Sequence, residues 1–462
     1  MQKRTYGTKY QRMTEAPVEK LVLSMAAPAI VSMLVSSIYN MADTFFVGKI
    51  GTSATGAVGV VFPVMAVIQA FGFFFGHGSG NFVSRALGKK ENEKAARMAV
   101  TGFLLSILAG ILIGAVGLIF RKDLVYLLGS TDTIYPYAES YLTVILIGAP
   151  WMCSSFVLNN QLRFQGNAAY AMVGISAGSI LNIGLDPLFI FTFRMGITGA
   201  ALATILSQAV SFVLLLLGTM RSDNIRMKLS LFTPSLYYLK NMAVGGVPSL
   251  CRQGLNSLAT VCLNFACHGY GDAAIAAMSV VTRVMMFATS ALIGFGQGFQ
   301  PVCGFNYGAG KYTRVRKAYL FCVASGVAFL LILAVIAEFT APWIIALFRD
   351  DAEVIKKGAR ALRLQCLIFP LNAFVIMSNM LFQTIGKMFR ASFLAMSRQG
   401  LFFIPLVLLL PVFFGFDGVV FAQPAADLVS LLAAIPLTLG LLKELKTDRP
   451  EPPPGGSPAE KE

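Results

Sequence analysis

FGHGSGNFVSRALG (residues 75–88) and FGQGFQPVCGFNYG (residues 295–308) stand in one register, 220 residues apart. Phe75 pairs with Phe295, Gly76 with Gly296, Gly78 with Gly298 and Gly88 with Gly308. Working outward at the same offset and with no gap, Pro28 meets Pro248, Gly51 meets Gly271, Ala57 meets Ala277 and Gly166 meets Gly386. Apolar chains share Ala and Leu by chance, but not a ladder of Gly and Pro in one register. The chain is a duplication, and its period has to be settled before any single segment is read.

Hydrophobic residues make up 56% of the chain and charged ones 13%. A soluble domain has about 45–50% apolar and about 25% charged residues. The solvent of this chain is therefore the bilayer, where a spanning helix needs roughly 20 mainly apolar residues. Twelve such segments are expected, at 21–47, 56–77, 95–120, 136–158, 168–193, 196–220, 241–267, 273–300, 317–345, 359–384, 391–414 and 418–442. The predicted fold class is an all-α polytopic membrane protein, with twelve transmembrane helices in two six-helix lobes. Six helices per half is an even number, so both halves enter the membrane in the same sense and the repeat is parallel. The divisions are a lead-in at 1–20, an N-lobe at 21–220, a linker at 221–240, a C-lobe at 241–442 and a disordered, polar, Pro-rich tail at 443–462.

The net charge of +15 is not spread evenly. With the N-terminus placed in the cytoplasm, 26 of the 37 Lys and Arg fall in or beside cytoplasmic connections, Arg163 and Arg398 among them, against 8 outside. That asymmetry reports topology, with both termini cytoplasmic, rather than a nucleic-acid partner. The seven cysteines lie within or beside apolar runs and read as small buried hydrophobes. Two histidines leave no material for a histidine-rich metal site. The clustered glycines 72, 76, 78, 80 and 294, 296, 298 suit close helix packing, or else hinges and approach of backbone to a ligand.

Three acids lie in apolar segments: Asp43 in YNMADTFFVGKIG, Asp186 in LNIGLDPLFIF and Asp427 in FAQPAADLVSLL. A carboxylate at membrane depth costs about 2.5–3.5 kcal/mol on insertion scales. It is tolerated by facing a wet cavity, by pairing with a cation or by holding a proton. A group that alternates between the last two states does the chemistry of an antiporter. Asn182 stands four residues before Asp186 and shares its helix face, and Thr204 follows in the next segment. Carboxylate, amide and hydroxyl oxygens suit a hard monovalent cation such as Na+, and equally suit a protonated Asp. At the repeat offset Asp43 becomes Leu263 and Asp186 becomes Leu406, so this acid pair belongs to one half only. Ion coupling is accordingly expected in the N-lobe, through H+ or Na+ and with no other cofactor. Arg252 and Arg283 either pair with Asp427 or line a polar cavity. The further cavity-lining candidates are Tyr39, Asn40, Gln69, Gln253, Asn256 and Gln297. No HExxH, GxSxG or phosphate-gripping motif supports a membrane enzyme.

ADTFFVGKIG (42–51), LRFQGN (162–167), LNIGLDPLFIF (181–191), GITGAALAT (196–204) and GQGFQPVCGFNYGAGK (296–311) together resemble the multidrug and toxic compound extrusion (MATE) transporters over about residues 15–445. The resemblance implies a V of two six-helix lobes around a central cavity. It also implies export of cationic, amphipathic compounds in exchange for H+ or Na+, by a monomer of the bacterial cytoplasmic membrane. The nearest pattern is the DinF-like and MepA-like branch, whose N-lobe cation site maps onto Asp43, Asn182, Asp186 and Thr204, with Asn159 as the fourth-helix member. The NorM-like branch carries a C-lobe acid in its seventh helix. PSLCRQGLNSLAT (248–260) offers Arg252, Gln253 and Asn256 there and no acid. Lipid-linked oligosaccharide flippases share the duplicated bundle; they need a richly cationic cavity for a pyrophosphate, and the N-half acids argue against that.

Overall fold

A computed structural model describes residues 8–220, 225–348 and 351–448, and every regular element among them is helical. In the first half, α1 is Val18–Gly48, α2 Thr52–Gly88, α3 Asn92–Ile119, α4 Tyr135–Phe164, α5 Ala168–Thr192 and α6 Gly196–Thr219. In the second, α7 is Leu236–His268, α8 Asp272–Gly308, α9 Tyr312–Phe348, α10 Ala352–Ile385, α11 Met388–Phe414 and α12 Phe416–Glu444. Eleven of these are long and apolar enough to cross a bilayer. The remaining one, α7, is long enough, but Arg252, Gln253, Asn256 and Asn264 interrupt its apolar run. Residues 1–7, 221–224 and 449–462, which include most of the tail expected to be disordered, lie outside the described residues.

The repeat seen in the sequence is a repeat of backbone. Helices α2 and α8 begin at 52 and 272 and end at 88 and 308, keeping the offset over their whole length. Gly166 and Gly386 follow α4 and α10 with φ of +85° and +87°. That left-handed conformation is strained for any residue with a Cβ, which is why glycine terminates both helices.

The lobes exchange their first turns. Val18, Leu21, Val22, Met25 and Ala26 of α1 are buried in a core made otherwise mainly of C-lobe residues such as Phe299, Val302, Tyr319 and Phe382. Tyr238 and Met242 of α7 are buried among Phe82, Val83, Ala86, Ala95 and Met98 of the N-lobe. A boundary drawn along the chain therefore does not coincide with the division in space: α1 packs on both α5 and α8, and α7 on both α2 and α11. A short lead-in helix, Lys9–Glu15, closes this end. Its Met13 carbonyl accepts from Asn306 Nδ2 at 3.0 Å, and its Met13 sulfur lies near Gly166.

Glycine makes the inter-lobe seam possible. A Cβ at Gly88 would strike the Phe305 carbonyl, and one at Gly308 would strike the Arg85 carbonyl. Residues 85 and 305 are repeat mates, as are 88 and 308, so one contact occurs twice about a pseudo-twofold axis. Gly78 lies against the Met242 backbone and Gly298 against Ala26 in the same manner. Of the two readings of these glycines, close helix packing is the one the geometry carries. At the far end the covering is lost: Phe45 of α1 is 57% exposed and Phe265 of α7 76%.

Candidate functional site

In the membrane half of the N-lobe, four helices bring polar side chains together. Asp43 comes from α1, Tyr141 from α4, Asn182 and Asp186 from α5, and Thr204 from α6. Asp186, Asn182 and Thr204 are 0, 1 and 2% exposed, and Asp43 is half-buried. With the Asn182 amide turned to satisfy both its ends, its nitrogen donates to Asp186 Oδ2 at 3.1 Å and its oxygen accepts from the Thr204 backbone N–H at 3.2 Å. The four-residue spacing within α5 makes the first of these bonds possible. Asp43 interacts electrostatically with Asp186, and both acids interact with Tyr39 and with Tyr141, which also meets Thr204. One oxygen of each acid, Asp43 Oδ1 and Asp186 Oδ1, is buried without a hydrogen-bond partner. Such an atom costs about 1–3 kcal/mol, more if charged, unless a proton or cation meets it.

The C-lobe provides an internal comparison. At the offset of 220, Tyr39, Asp43, Tyr141, Asn182, Asp186 and Thr204 become Ala259, Leu263, Ala361, Phe402, Leu406 and Pro424. The first five of these pack together in one apolar cluster of the C-lobe. The shared scaffold is thus stable with hydrocarbon at these positions, and the polar set is an addition to one lobe. Tyr141 escaped sequence reading because a lone Tyr in an apolar segment carries no pattern; its replacement by Ala361 in the repeat is the signal that would have found it.

Asn159 does not join this cluster. Its Nδ2 donates to the Ala171 carbonyl at 3.0 Å, and its repeat mate Asn379 donates to the Ala391 carbonyl at 2.6 Å. The same bond at mated positions marks an architectural role, tying α4 to α5 and α10 to α11. Asp427 also differs from expectation. Its partners are neither Arg252 nor Arg283 but Arg398 Nε at 2.8 Å, Gln423 Nε2 at 2.8 Å and Asn372 Nδ2 at 2.7 Å. Arg398, counted from sequence as a cytoplasmic cation, thus lies inside the bundle at the broken turn Ser397–Leu401 of α11. Every oxygen of Asp427 is satisfied, so it serves structure. Asp427→Ala, which leaves Arg398 without its counter-charge, is expected to lower stability by about 3–5 kcal/mol. The check is thermal unfolding in detergent, where Asp427→Leu combined with Arg398→Met should recover much of the loss.

The other cavity candidates separate into two groups. Asn40, Asn256 and Arg283 are exposed, and Arg252 is half-buried. Gln69 and Gln253 meet each other across the lobes, Gln253 Nε2 donating to Gln69 Oε1 at 2.7 Å. Gln297 is sealed within the seam, where Arg163 Nη1 donates to its Oε1 at 2.5 Å. Arg163, also counted as a loop cation, is buried because α4 runs on to Phe164. A third crossing links Gln383 Nε2 to Ser249 Oγ at 2.7 Å and Ser249 Oγ to His77 Nδ1 at 2.9 Å. Arg85 Nη1 donates to the Thr384 carbonyl as a fourth. Neither His77 nor Gln383 had been singled out, since a partner across two lobes leaves no spacing in the chain. All seven cysteines are free thiols, and no group of three His, Cys, Asp or Glu suits a metal among the described residues.

The chain matches the MatE family model twice, over residues 28–188 and 248–409. It is 26% identical over 439 residues to the multidrug export protein MepA of Staphylococcus saprophyticus, covering 95% of this chain and 97% of that protein. It is 27% identical over 442 residues to MepA of Staphylococcus aureus, with the same coverage. Among solved structures it matches an outward-facing multidrug resistance MATE transporter of the MOP superfamily at 27% identity and a TM-score of 0.90. That match covers 96% of this chain and 100% of the other. A MOP superfamily transporter from Pyrococcus furiosus, described as having a binding pocket of reverse polarity that suggests a different function, matches at 26% identity and the same TM-score and coverage.

Proposed function

This chain belongs to the MatE family of membrane efflux transporters, and from that premise we propose that it is a multidrug antiporter. In this reading it expels cationic, amphipathic compounds in exchange for H+ or Na+ at Asp43, Asp186, Asn182 and Thr204. The observation that carries it is the pair of partnerless buried oxygens on Asp43 and Asp186, in a cluster whose mates in the other lobe are all apolar or Pro. Two acids in hydrocarbon are stable only while a proton or a metal ion satisfies them, so they bind and release one of these as their surroundings change. The export names of the MepA relatives support the direction and the breadth of the cargo.

Charge asymmetry supports both termini in the cytoplasm, and in this reading the chain acts as a monomer in a bacterial inner membrane. The glycine seam and the lead-in helix then seal the cytoplasmic end, and the uncovered halves of α1 and α7 face outward. Export needs the opposite seal to form in turn, with each cargo and ion shifting the balance only by its differential affinity for the two states. One charge moved across 100 mV supplies about 2.3 kcal/mol to that cycle. Proteoliposomes loaded with ethidium and given a proton gradient alone, or a sodium gradient alone, provide the test. Efflux driven by one of them identifies the ion; efflux indifferent to both removes the coupling.

A further inference from the structure

The buried guanidinium of Arg163 has no counter-charge. It is 3% exposed at the last turn of α4. Its Nη1 donates to Gln297 Oε1 at 2.5 Å and its Nη2 to Asn160 Oδ1 at 2.6 Å, and both acceptors are neutral. The Phe164 ring lies 5.4 Å from its carbon. Its Nε has no partner at all. No carboxylate pairs with it among the described residues. Of the groups that interact electrostatically with His77 on α2, both Arg163 and, on α7, Arg252 are basic, so no acid enters this neighbourhood from that side. A charge taken out of water without an opposite charge is costly, and buried ions are as a rule paired.

Arg163 lines a chamber of ≈ 60 Å³, together with Ser32 and Ser36 of α1, Asn159 of α4, Gln297 of α8 and eight apolar residues. A water needs about 10–15 Å³ of such space, so the chamber has room for a few atoms and not for a drug. Two serine hydroxyls beside a single cation, in an otherwise mostly apolar chamber, make a setting for one negative charge. The repeat sharpens the point. At the mated position stands Gln383, a neutral amide that donates to the Gly245 carbonyl and to Ser249 Oγ, both at 2.7 Å. The scaffold needs only an amide here, so the positive charge, like the two acids, is particular to the N-lobe.

We propose that this chamber binds a small monovalent anion, chloride or a small carboxylate such as formate, as the counter-ion of Arg163. The anion sits where the lobes meet, so its occupancy favours the state in which Arg163 holds Gln297. The test is thermal unfolding of the purified chain in gluconate, with chloride or formate added at constant ionic strength. A ligand of the folded state raises the midpoint with the logarithm of its concentration once the site fills. The expected rise is about 1–3 °C per tenfold increase for either anion, abolished in Arg163→Gln. A rise that persists in Arg163→Gln, or that sulfate matches, is general salt stabilisation and overturns the proposal. Should Arg163→Gln not fold, wild-type crystals soaked in bromide decide the matter. An anomalous peak beside Arg163 Nε supports the site, and bromide peaks elsewhere with none in the chamber refute it.

Discussion

Asp43→Asn is expected to reduce ion-driven efflux at least tenfold while leaving the protein folded. The argument has two parts. Asparagine keeps the size of the side chain and removes its charge, so no proton or metal ion is exchanged at that position. Couplings between two bound species are typically about 1–3 kcal/mol, which corresponds to about 5–150-fold in affinity. Folding should survive because the equivalent site of the C-lobe carries Leu263 in place of an acid, with Leu406 and Phe402 packed beside it. Removing a charge whose Oδ1 lacks a partner costs the folded state little. Asp186→Asn should behave similarly in transport but lose more stability, since Asp186 Oδ2 is the acceptor for Asn182. The measurement is ethidium efflux from proteoliposomes under an imposed gradient, with binding of ethidium followed separately by fluorescence. Retained ethidium binding with lost coupling is the signature of the proposed role. Full gradient-driven efflux by Asp43→Asn would move the coupling away from this cluster.

The architecture was legible because it rests on one-dimensional signals. Apolar length gives spans, and a fixed offset of glycines gives the duplication. The acid pair was legible for the same reason, since Asp43 and Asp186 are costly where they stand and have no mates. The same criterion sets Asn159 apart from the acid pair. Asn159 has Asn379 as its mate, and both donate to mated carbonyls, so the offset alone marks it as scaffold. The family pattern outweighed that signal. Arg163 and Arg398 were misplaced for a different reason. Arg163 lies where the apolar run 136–158 ends but the helix continues to Phe164, and Arg398 lies inside the span 391–414, where its charge was counted with the adjoining cytoplasmic connection. Their partners, Gln297 and Asp427, are fixed by helix rotation and tilt, which no spacing along one segment reveals. The exchange of first turns between lobes is likewise invisible in sequence, because Val18–Ala26 is equally apolar whichever core receives it.

Gly88→Val is expected to shift the molecule out of the state described above, and Gly308→Val should do the same by symmetry. Each glycine faces a carbonyl of the other lobe, Phe305 for Gly88 and Arg85 for Gly308, with no room for a Cβ. The obstacle is backbone on both sides, so no flexible side chain can move away, and relief comes only from separating the lobes at this end. Overpacking a close-packed contact typically costs about 1–3 kcal/mol. If the two access states lie within a few kcal/mol of each other, that penalty moves their ratio by roughly 5–150-fold. The lobes themselves should stay folded, since both glycines sit on the seam and the apolar cores around Tyr141 and Val281 lie elsewhere. Spin labels at Lys89 of the N-lobe and Lys387 of the C-lobe provide the readout, one on each side of the seam. Longer distances in Gly88→Val than in the parent, with efflux lost and thermal stability nearly kept, are the expected result. The double variant Gly88→Val with Gly308→Val then distinguishes a seam from a local defect. If the seam is the common cause, one wedge already opens it, and the second adds far less than the first. Equal and additive losses of thermal stability from the two would instead mean that each glycine supports only its own helix, and that the lobes do not part along this line.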